Sequence, residues 1–193
     1  WELVQHLPFN GRLKHVFRSV ANSLQMRFSR RVRKALHATD LLLTATSENQ
    51  RKFYSKFGKE SDFMPENCID AEICVDESKF INPEVYNFII VGRQDDRKNS
   101  ILFLKSLTHV THKDRIHVDV VGGGPAVDQL KQYAINNGID SLITWHGQVP
   151  RQEAVNLFNG AHMHVITSIS EANTTVIWEA MSFGVPTLSL DHC

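Results

Sequence analysis

Two glutamates, Glu171 and Glu179, are the residues whose type and spacing most clearly indicate chemistry. Glu171 follows the apolar run 164–167, and Glu179 lies inside a stretch with helical spacing that starts near Thr174. A helix N-terminus between them would offer an anion unpaired backbone N–H groups and about half a positive charge. The two carboxylates could then bind hydroxyl groups on either side of a diphosphate. The alternative is an acidic loop residue and a helical glutamate that have this spacing by chance.

Two cations, Arg93 and Lys98, follow another apolar run, 88–91, which Gly92 terminates. Arginine binds phosphate oxygens through two parallel N–H groups, and lysine supplies a compact charge. Facing a helix N-terminus, the two cations would neutralise a diphosphate without Mg²⁺. The alternative is a pair of surface cations in a turn that also holds two aspartates.

A glycine-rich turn, Gly122-Gly123-Gly124-Pro125, follows the apolar run 118–121. Glycines allow the backbone to approach a ligand closely. The turn is not the Gly-x-Gly-x-x-Gly dinucleotide fingerprint, and no Gly-Lys-Ser/Thr follows it, so it is not a P-loop. On its own this turn is a weak indication of a binding site.

The pattern of apolar residues from Asn87 onward predicts the elements that position these side chains. Short apolar runs, the first of them rich in β-branched residues, predict five strands, at 88–91, 118–121, 142–145, 164–167 and 186–190. Helical spacing predicts helices at 101–107, 125–138, 150–159 and 173–183. This alternation predicts a Rossmann-like, doubly wound α/β domain whose parallel sheet is covered on both faces. Ligands of such sheets bind beyond the carboxyl ends of the strands.

The first part of the chain has a different pattern. It predicts a long helix at 13–38, a buried strand at 40–45, and a short helix that Ser47 caps and that ends at Phe57. We interpret residues 1–65 as the remnant of a preceding α/β domain, 66–83 as a linker and 84–193 as the second domain. Since the chain begins without methionine and stops directly after a predicted strand, we expect it to be part of a longer protein.

Composition and charge exclude some classes of protein. The chain is 42% hydrophobic and 22% charged, as in ordinary globular proteins, and no apolar run is long enough to span a bilayer. Its three cysteines indicate neither a disulfide framework nor a zinc knuckle, which fits a reducing cytosol. Two histidines, His162 and His164, could share one face of a strand, but without a third ligand we expect them to be packing residues rather than metal ligands.

The formal charge is unevenly distributed. Residues 1–60 contain 12 Lys and Arg against 4 Asp and Glu, and residues 61–193 contain 9 against 17. The basic segment 12–34 is predicted either to contact an anionic membrane surface or to form a solvated helix face. Nucleic-acid binding is not expected, because no aromatic interleaving or known nucleic-acid module accompanies the segment.

Over most of residues 36–193 the order of these motifs resembles glycosyltransferase family 4, the group 1 glycosyltransferases of the GT-B fold. The family has a strand ending in Gly-Arg, then a lysine, a glycine-rich turn ending in Gly-Pro, and a strand ending in His/Phe-Gly. It closes with Ser-x-x-Glu, seven residues, and Glu-Ala-Met-x-x-Gly-x-Pro. The corresponding residues here are Gly92-Arg93, Lys98, Gly122 to Pro125, His146-Gly147, and Ser168 to Pro186.

Two upstream segments also resemble the family. Residues 38–47 look like the last strand of its acceptor domain, and residues 64–70 look like its interdomain segment. The chain departs from the family in two places. Asn99 replaces the usual glycine after the lysine, and Ala172-Asn173 replaces the usual Gly-Phe-Gly, which leaves the sugar undetermined.

The resemblance implies roles for these residues. Arg93 and Lys98 would contact the donor diphosphate, Glu171 the hydroxyls of the transferred hexose, and Glu179 the ribose; of these, Arg93, Lys98 and Glu171 would be catalytic. The remaining donor-binding positions would be Gly92, Gly122, Gly123, Gly147, Val149, Asn173, Thr174 and Thr175.

The resemblance also implies a retaining hexosyltransferase that needs neither metal nor cofactor and that uses a UDP- or GDP-type nucleotide sugar as substrate. The acceptor would be a saccharide or a lipid-linked saccharide, in polysaccharide or glycolipid biosynthesis. The enzyme would work in the cytoplasm, either free or associated with a membrane. The isolated fragment would be inactive, because most of the acceptor domain would be missing. Two alternatives remain: a sugar-nucleotide epimerase of the same fold, and a binding module without turnover.

Overall fold

The chain divides into two compact units, Trp1–Cys68 and Ile69–Cys193. The computed structural model describes residues 9–44, 48–64, 75–169, 171 and 174–190. The division falls inside the segment 66–83 that the sequence analysis interprets as a linker. Each unit has its own sheet.

Within its described residues the first unit contains three helices: α1 (Phe9–Phe28), α2 (Arg30–Ala38) and α3 (Glu48–Ser55). The single long helix predicted at 13–38 is wrong in one respect, because Ser29 separates α1 from α2. Its backbone is extended (φ −67°, ψ 117°), and its hydroxyl accepts a hydrogen bond from the Val32 N–H at 3.4 Å. Serine favours this capping geometry over a helix interior, which explains the interruption.

The sheet of the first unit consists of two short parallel strands, β1 (Leu43–Thr44) and β2 (Asp62–Phe63). The predicted strand at 40–45 is confirmed only at Leu43 and Thr44; Ala45 and the predicted cap Ser47 lie outside the described residues. Strand β2 was not predicted from the sequence. The Thr44 hydroxyl is buried and donates to the Asp62 carbonyl at 3.3 Å, so tertiary pairing defines this strand.

The second unit contains a five-stranded parallel sheet in the order β5-β4-β3-β6-β7. The strands are β3 (Tyr86–Val91), β4 (Ile116–Val121), β5 (Ile143–Gly147), β6 (Met163–Ile166) and β7 (Thr187–Ser189). The helices are α4 (Ser100–Thr108), α5 (Val127–Asn136), α6 (Arg151–Asn156) and α7 (Thr175–Ser182). All five predicted strands are present, and the predicted fold class is confirmed.

Short 3₁₀ turns complete the unit, at Glu77–Phe80, Lys113–Arg115, Asp140–Leu142 and Leu157–Gly160. The last of these turns replaces the final three residues of the helix predicted at 150–159. Gly138 follows α5 with φ +64° and Gly184 follows α7 with φ +66°. Glycine adopts this left-handed geometry without strain, so both helices end where the sequence predicts.

Two hydrophobic clusters hold helices to the two faces of the sheet. On one face, α4 and α5 pack on the strands through a buried cluster that includes Leu104, Val118 and Leu130. On the other face, a second cluster includes Ile89, Phe158 and Ala180, with Phe158 in the 3₁₀ turn after α6 and Ala180 in α7. Burying each large apolar side chain contributes about 1.5–3 kcal/mol, so both faces depend on their helices.

The strand order reverses at the centre of this sheet, where β3 lies between β4 and β6. Chain connections leave β3 and β6 in opposite directions there, and their carboxyl-terminal loops separate. Open parallel sheets bind ligands in the crevice that results. The loop after β3 contains Arg93 and Lys98, and the loop after β6 contains Glu171.

Candidate functional site

Hydrogen bonds connect the loops that follow β3 and β6. The Ile169 N–H donates to the Arg97 carbonyl at 2.8 Å. The Thr167 hydroxyl lies 3.2 Å from the Lys98 carbonyl and 3.0 Å from the Asn99 carbonyl. These contacts fix the backbone that carries Lys98 against the backbone that leads to Glu171.

Asn99 stands where the family that this sequence resembles has glycine. Its backbone is left-handed, with φ 51° and ψ 34°. Asparagine adopts this region far more readily than most other non-glycine residues. The substitution therefore preserves the backbone turn that starts α4. The replacement of glycine by Asn99 is thus explained by its backbone conformation, and it does not disrupt the loop.

Lys98 and Glu171 form a close ion pair at the mouth of the crevice. The Lys98 Nζ lies 2.6 Å from the Glu171 Oε1, and the two side chains are 16% and 11% exposed. Burial raises the pKa of Glu171, but hydrogen bonds from Lys98 and Ser168, with the charges of Lys98 and Arg97, outweigh it and leave the pKa below its ordinary value. Glu171 is therefore a carboxylate at neutral pH.

The second cation near Glu171 is Arg97, which the sequence analysis did not name. Its Nη1 lies 3.4 Å from the Glu171 Oε2. Arg93, which the sequence analysis did name, is 71% exposed and lies 3.8 Å from the Asp95 carboxylate. Asp95 Oδ1 accepts the N–H groups of Arg97 and Lys98 at 3.1 Å each, and this turn directs both residues toward β6. The only sequence signal for Arg97 was its position directly before Lys98.

Glu179 lies on α7 with its side chain 11% exposed, and its charge is matched by Arg151 at the start of α6. The Arg151 Nε and Nη2 donate to the same oxygen, Glu179 Oε1, at 3.0 and 2.8 Å. The two predicted glutamates thus each have an arginine partner from another part of the second unit. Arg151 was also missed, because sequence spacing does not bring 151 and 179 together.

The N-terminus of α7 lies beside this crevice. Thr174 is the N-cap residue, with extended backbone (φ −96°, ψ 113°), and the helix begins at Thr175. The first N–H groups of a helix have no partner within the helix itself, which is why helix N-termini in general attract anions. Asn173, predicted both as the cap and as a donor-binding residue, lies outside the described residues.

The glycine-rich turn packs against the loop after β3. Gly122 (φ +116°) and Gly124 (φ +155°) have no room for a Cβ, because it would collide with the carbonyls of Gly92 and Gln94. The Gly92 N–H donates to the Val121 carbonyl and the Gln94 N–H donates to the Gly123 carbonyl, both at 3.0 Å. Two of the three glycines are thus needed for packing between loops, whatever ligand the turn contacts.

The other predicted donor-binding positions are more dispersed. Gly92 (φ +135°) allows the Lys98 side chain to cross its backbone, since an added Cβ would lie 3.3 Å from the Lys98 Cε. Gly147 ends β5 with φ +66°, and its carbonyl accepts from the Gly122 N–H at 2.7 Å. Val149 is half-buried and packs against the cluster around Ile89 and Phe158, so it belongs in part to the core.

A cleft between the ends of β3 and β6 is lined by residues that include Gln94, Lys98, Thr167, Ser168 and Thr174. Its enclosed volume is about 10 Å³, close to the space that one water molecule needs, so in this conformation the cleft is not a preformed pocket for a whole nucleotide sugar. Buried Gln94 shapes it, since its Nε2 donates to the Gly92 carbonyl at 2.8 Å and its Oε1 accepts from the Ser100 hydroxyl at 2.7 Å.

His162, directly before β6, and His164, within β6, are packing residues. His162 accepts from the Asn87 N–H through Nδ1 and contacts the Lys79 carbonyl through Nε2, each at 2.9 Å. His164 is fully buried, and burial, with the charge of Lys98, lowers its pKa to about 4.

Among the described residues no group of three His, Cys, Asp or Glu side chains could hold a metal ion, and no helix is long and apolar enough to cross a membrane.

The five-stranded parallel sheet of the second unit has the fold of GT-B glycosyltransferases. The family model of the group 1 glycosyl transferases matches residues 75–193, and the chain belongs to this family. A comparison with curated proteins found no match.

Solved structures share the fold at low identity. The pneumococcal O-GlcNAc transferase GtfA, in complex with UDP and GlcNAc, has a TM-score of 0.70 at 16% identity, over 86% of this chain and 33% of that one. WaaG, a glycosyltransferase involved in lipopolysaccharide biosynthesis, has a TM-score of 0.69 at 17% identity, over 100% of this chain and 54% of that one. Anabaena Alr3699/HepE in complex with UDP has a TM-score of 0.67 at 16% identity, over 84% and 49%. This chain thus spans about a third to a half of these proteins.

Proposed function

We propose that this chain is the donor-binding part of a retaining glycosyltransferase that transfers a hexose from a UDP- or GDP-type nucleotide sugar to a saccharide or lipid-linked acceptor. One observation carries the proposal: Lys98 and Arg97 converge on Glu171 beside the N-terminus of α7, at the switch point of the sheet. Because the chain spans only part of the structures it resembles, the activity belongs to the longer protein. The work of that protein would be cytoplasmic polysaccharide or glycolipid synthesis.

The charges suit a ligand that carries both anionic groups and hydroxyls. Without a donor, Lys98 and Glu171 neutralise each other at 2.6 Å. A nucleotide sugar would supply phosphate oxygens to Lys98 and hexose hydroxyls to Glu171, so each buried charge would keep a partner. Hydrogen bonds to charged groups are stronger than neutral ones, which favours this exchange. Arg93, largely exposed, is free to turn toward the same phosphates.

Catalysis in this proposal is stabilisation of the departing nucleoside diphosphate. As the bond between the sugar and the diphosphate breaks, negative charge develops on a phosphate oxygen. Arg93, Lys98 and the N–H groups around residues 173–175 would stabilise that charge, and preorganised groups of this kind contribute the largest single term in many enzymes. We propose that no metal and no cofactor is needed. Glu171 is not assigned as a nucleophile, since Lys98 and Arg97 already bind both of its oxygens.

The remaining positions would hold the nucleoside. Glu179 would bind the ribose, and the backbone at Gly92, Gly122, Gly123 and Gly147 would line the site. Val149 would lie next to the base with its side chain partly in the core. Two of the related structures contain UDP, which makes UDP the first nucleotide to test.

The test is thermal unfolding of the chain with a series of nucleoside diphosphates and nucleotide sugars. We expect UDP or GDP to raise the melting temperature, and we expect Lys98→Ala and Arg93→Ala to abolish the increase. Lys105→Ala is the matched control, because Lys105 is exposed on α4 and should leave the shift unchanged. If no nucleoside diphosphate stabilises the chain, the proposal is wrong.

Turnover separates the transferase from its two alternatives. We expect the longer protein to move radiolabelled sugar into an acceptor, and Glu171→Ala to prevent the transfer. If the labelled product stays nucleotide-linked, the protein is an epimerase. If the nucleotide sugar binds without any turnover, the protein is a binding module.

A second proposal concerns the basic segment 12–34, which holds eight Lys and Arg and no acidic residue. On α1, a stripe of apolar side chains is between 50% and 76% exposed: Leu13, Phe17, Val20, Leu24 and Phe28. Their spacing places them on one helix face, and an apolar face flanked by basic residues is typical of helices that lie on anionic membranes. We propose that this segment contacts such a membrane.

Liposome sedimentation tests the membrane contact. We expect the chain to sediment with vesicles that contain phosphatidylglycerol and to stay in solution with pure phosphatidylcholine, and we expect Phe17→Asp to weaken sedimentation. A sedimented fraction that does not depend on the anionic lipid content would contradict the proposal.

A further inference from the structure

Arg151 makes an unusual contact with Glu179. An arginine fork commonly gives one N–H group to each carboxylate oxygen. Here the Nε and the Nη2 of Arg151 both donate to Oε1, at 3.0 and 2.8 Å. No other described residue donates a hydrogen bond to Glu179, so its Oε2 is unoccupied within the described part of the chain.

This contact fixes the direction of a nearly buried carboxylate. The Glu179 side chain is 11% exposed, while that of Arg151 is 73% exposed. A carboxylate in such surroundings needs a charged partner, and Arg151 supplies one without occupying both oxygens. The second oxygen thus keeps its accepting capacity for a donor group from outside the protein.

Arg151 also joins two parts of the second unit that are distant in sequence. It is the first residue of α6 and follows the loop that leaves β5 at Gly147. Glu179 is the fifth residue of α7. The contact therefore couples the loop beyond β5 to the helix that follows β6, and the orientation of Glu179 depends on both.

We propose that Arg151 is a positioning residue for nucleotide recognition, which holds Oε1 of Glu179 so that Oε2 accepts a hydrogen bond from a ribose hydroxyl of the donor. This inference rests on the proposed function, in which Glu179 binds the ribose. Arg151 acts through Glu179 and makes no contact with the reacting atoms. Lysine cannot replace it fully, because an ammonium group lacks the planar pair of donors that holds one oxygen from two sides.

The test compares the affinities of UDP and GDP with those of their 2′-deoxy and 3′-deoxy forms, measured by calorimetry on the chain. We expect the unmodified chain to prefer a ribose form by about tenfold or more, the size expected for one hydrogen bond to a charged group. Arg151→Ala should reduce this preference to below about threefold, as Glu179→Ala should, and Arg151→Lys should give an intermediate preference. A purely structural role would change the melting temperature without changing the preference.

Gln152→Ala is the matched control. Gln152 is the next residue of α6, is exposed, and among the described residues its side chain bonds only to Asn156 on the same helix. Its ribose preference should equal that of the unmodified chain. If Arg151→Ala keeps the preference, or loses affinity equally for ribose and deoxyribose forms, the inference is overturned while the proposed function stands. If the unmodified chain binds no nucleoside diphosphate, the proposed function fails and the inference fails with it.

Discussion

Replacing Lys98 with methionine tests whether Glu171 depends on its ion pair. Methionine keeps much of the length and apolar volume of the side chain and removes its charge. Two unit charges 2.6 Å apart attract by about 6 kcal/mol at an effective dielectric constant of about 20, before desolvation is subtracted. Removing one member of a buried pair typically costs about 3–5 kcal/mol. Arg97 remains 3.4 Å from the other oxygen of Glu171, so we expect a loss of about 2–3 kcal/mol at pH 7.

The pH dependence identifies the cause of that loss. The pKa of Glu171 is below its ordinary value of 4.5, so its pairing stabilises the fold above that pH and the stabilisation is lost as pH falls through the lowered pKa. Lys98→Met removes two of the causes and should raise the pKa of Glu171. The stability difference between the two proteins should therefore be largest at pH 7 and shrink in acid, where Glu171 becomes protonated. Urea unfolding at a series of pH values measures it.

Two further variants complete this experiment. Lys105→Met removes an exposed lysine of α4 and should cost less than about 0.5 kcal/mol. Adding Glu171→Gln to Lys98→Met should recover part of the loss, because no unpaired carboxylate then remains. The reasoning is refuted if Lys98→Met costs no more than Lys105→Met, or if its cost is the same at every pH.

Two more predictions follow from the packing of the second unit. Gly122→Ala should destabilise the chain by about 3 kcal/mol or more in thermal unfolding, because its φ of +116° is strained for alanine and the added Cβ would collide with the Gly92 carbonyl. Gly123→Ala is the control. The nearest atom to its added Cβ is 3.8 Å away, so this change should cost less than about 1 kcal/mol. The fold lowers the pKa of His164 from 6.5 to about 4. As the pH falls, the imidazole is therefore protonated in the unfolded chain before it is protonated in the folded one, and the free energy of unfolding should decrease by about 3 kcal/mol between pH 6.5 and pH 4. His164→Leu should flatten that part of the stability profile, and an unchanged slope would assign it to another group.

Local patterns predicted most of the fold of the second unit. The five strands are short apolar runs, and Gly138 and Gly184 follow helices because glycine adopts the left-handed backbone needed there without strain. The interruption of the first helix at Ser29 was missed, because its neighbours on both sides favour a helix. The strand at Asp62–Phe63 was missed for a different reason, since only pairing with Leu43 and Thr44 makes it a strand.

The candidate site was predicted less completely than the fold. The sequence motifs named Lys98 and Glu171, which the structure brings within 2.6 Å, and Glu179, which lies nearly buried on α7. Arg97 and Arg151 were missed, because their contacts depend on how two loops and two helices meet in space and not on spacing along the chain. Arg93 was named from its position in the motif, yet its side chain lies in solvent beside Asp95.

A crystal structure of the chain grown with the nucleoside diphosphate that stabilises it most would test the central proposal most directly. We expect phosphate oxygens within hydrogen-bond distance of the Lys98 Nζ and of backbone N–H groups at the start of α7, and a ribose hydroxyl on Oε2 of Glu179. A nucleotide bound away from the cleft between β3 and β6, or one whose phosphates contact neither Lys98 nor α7, would contradict the proposal.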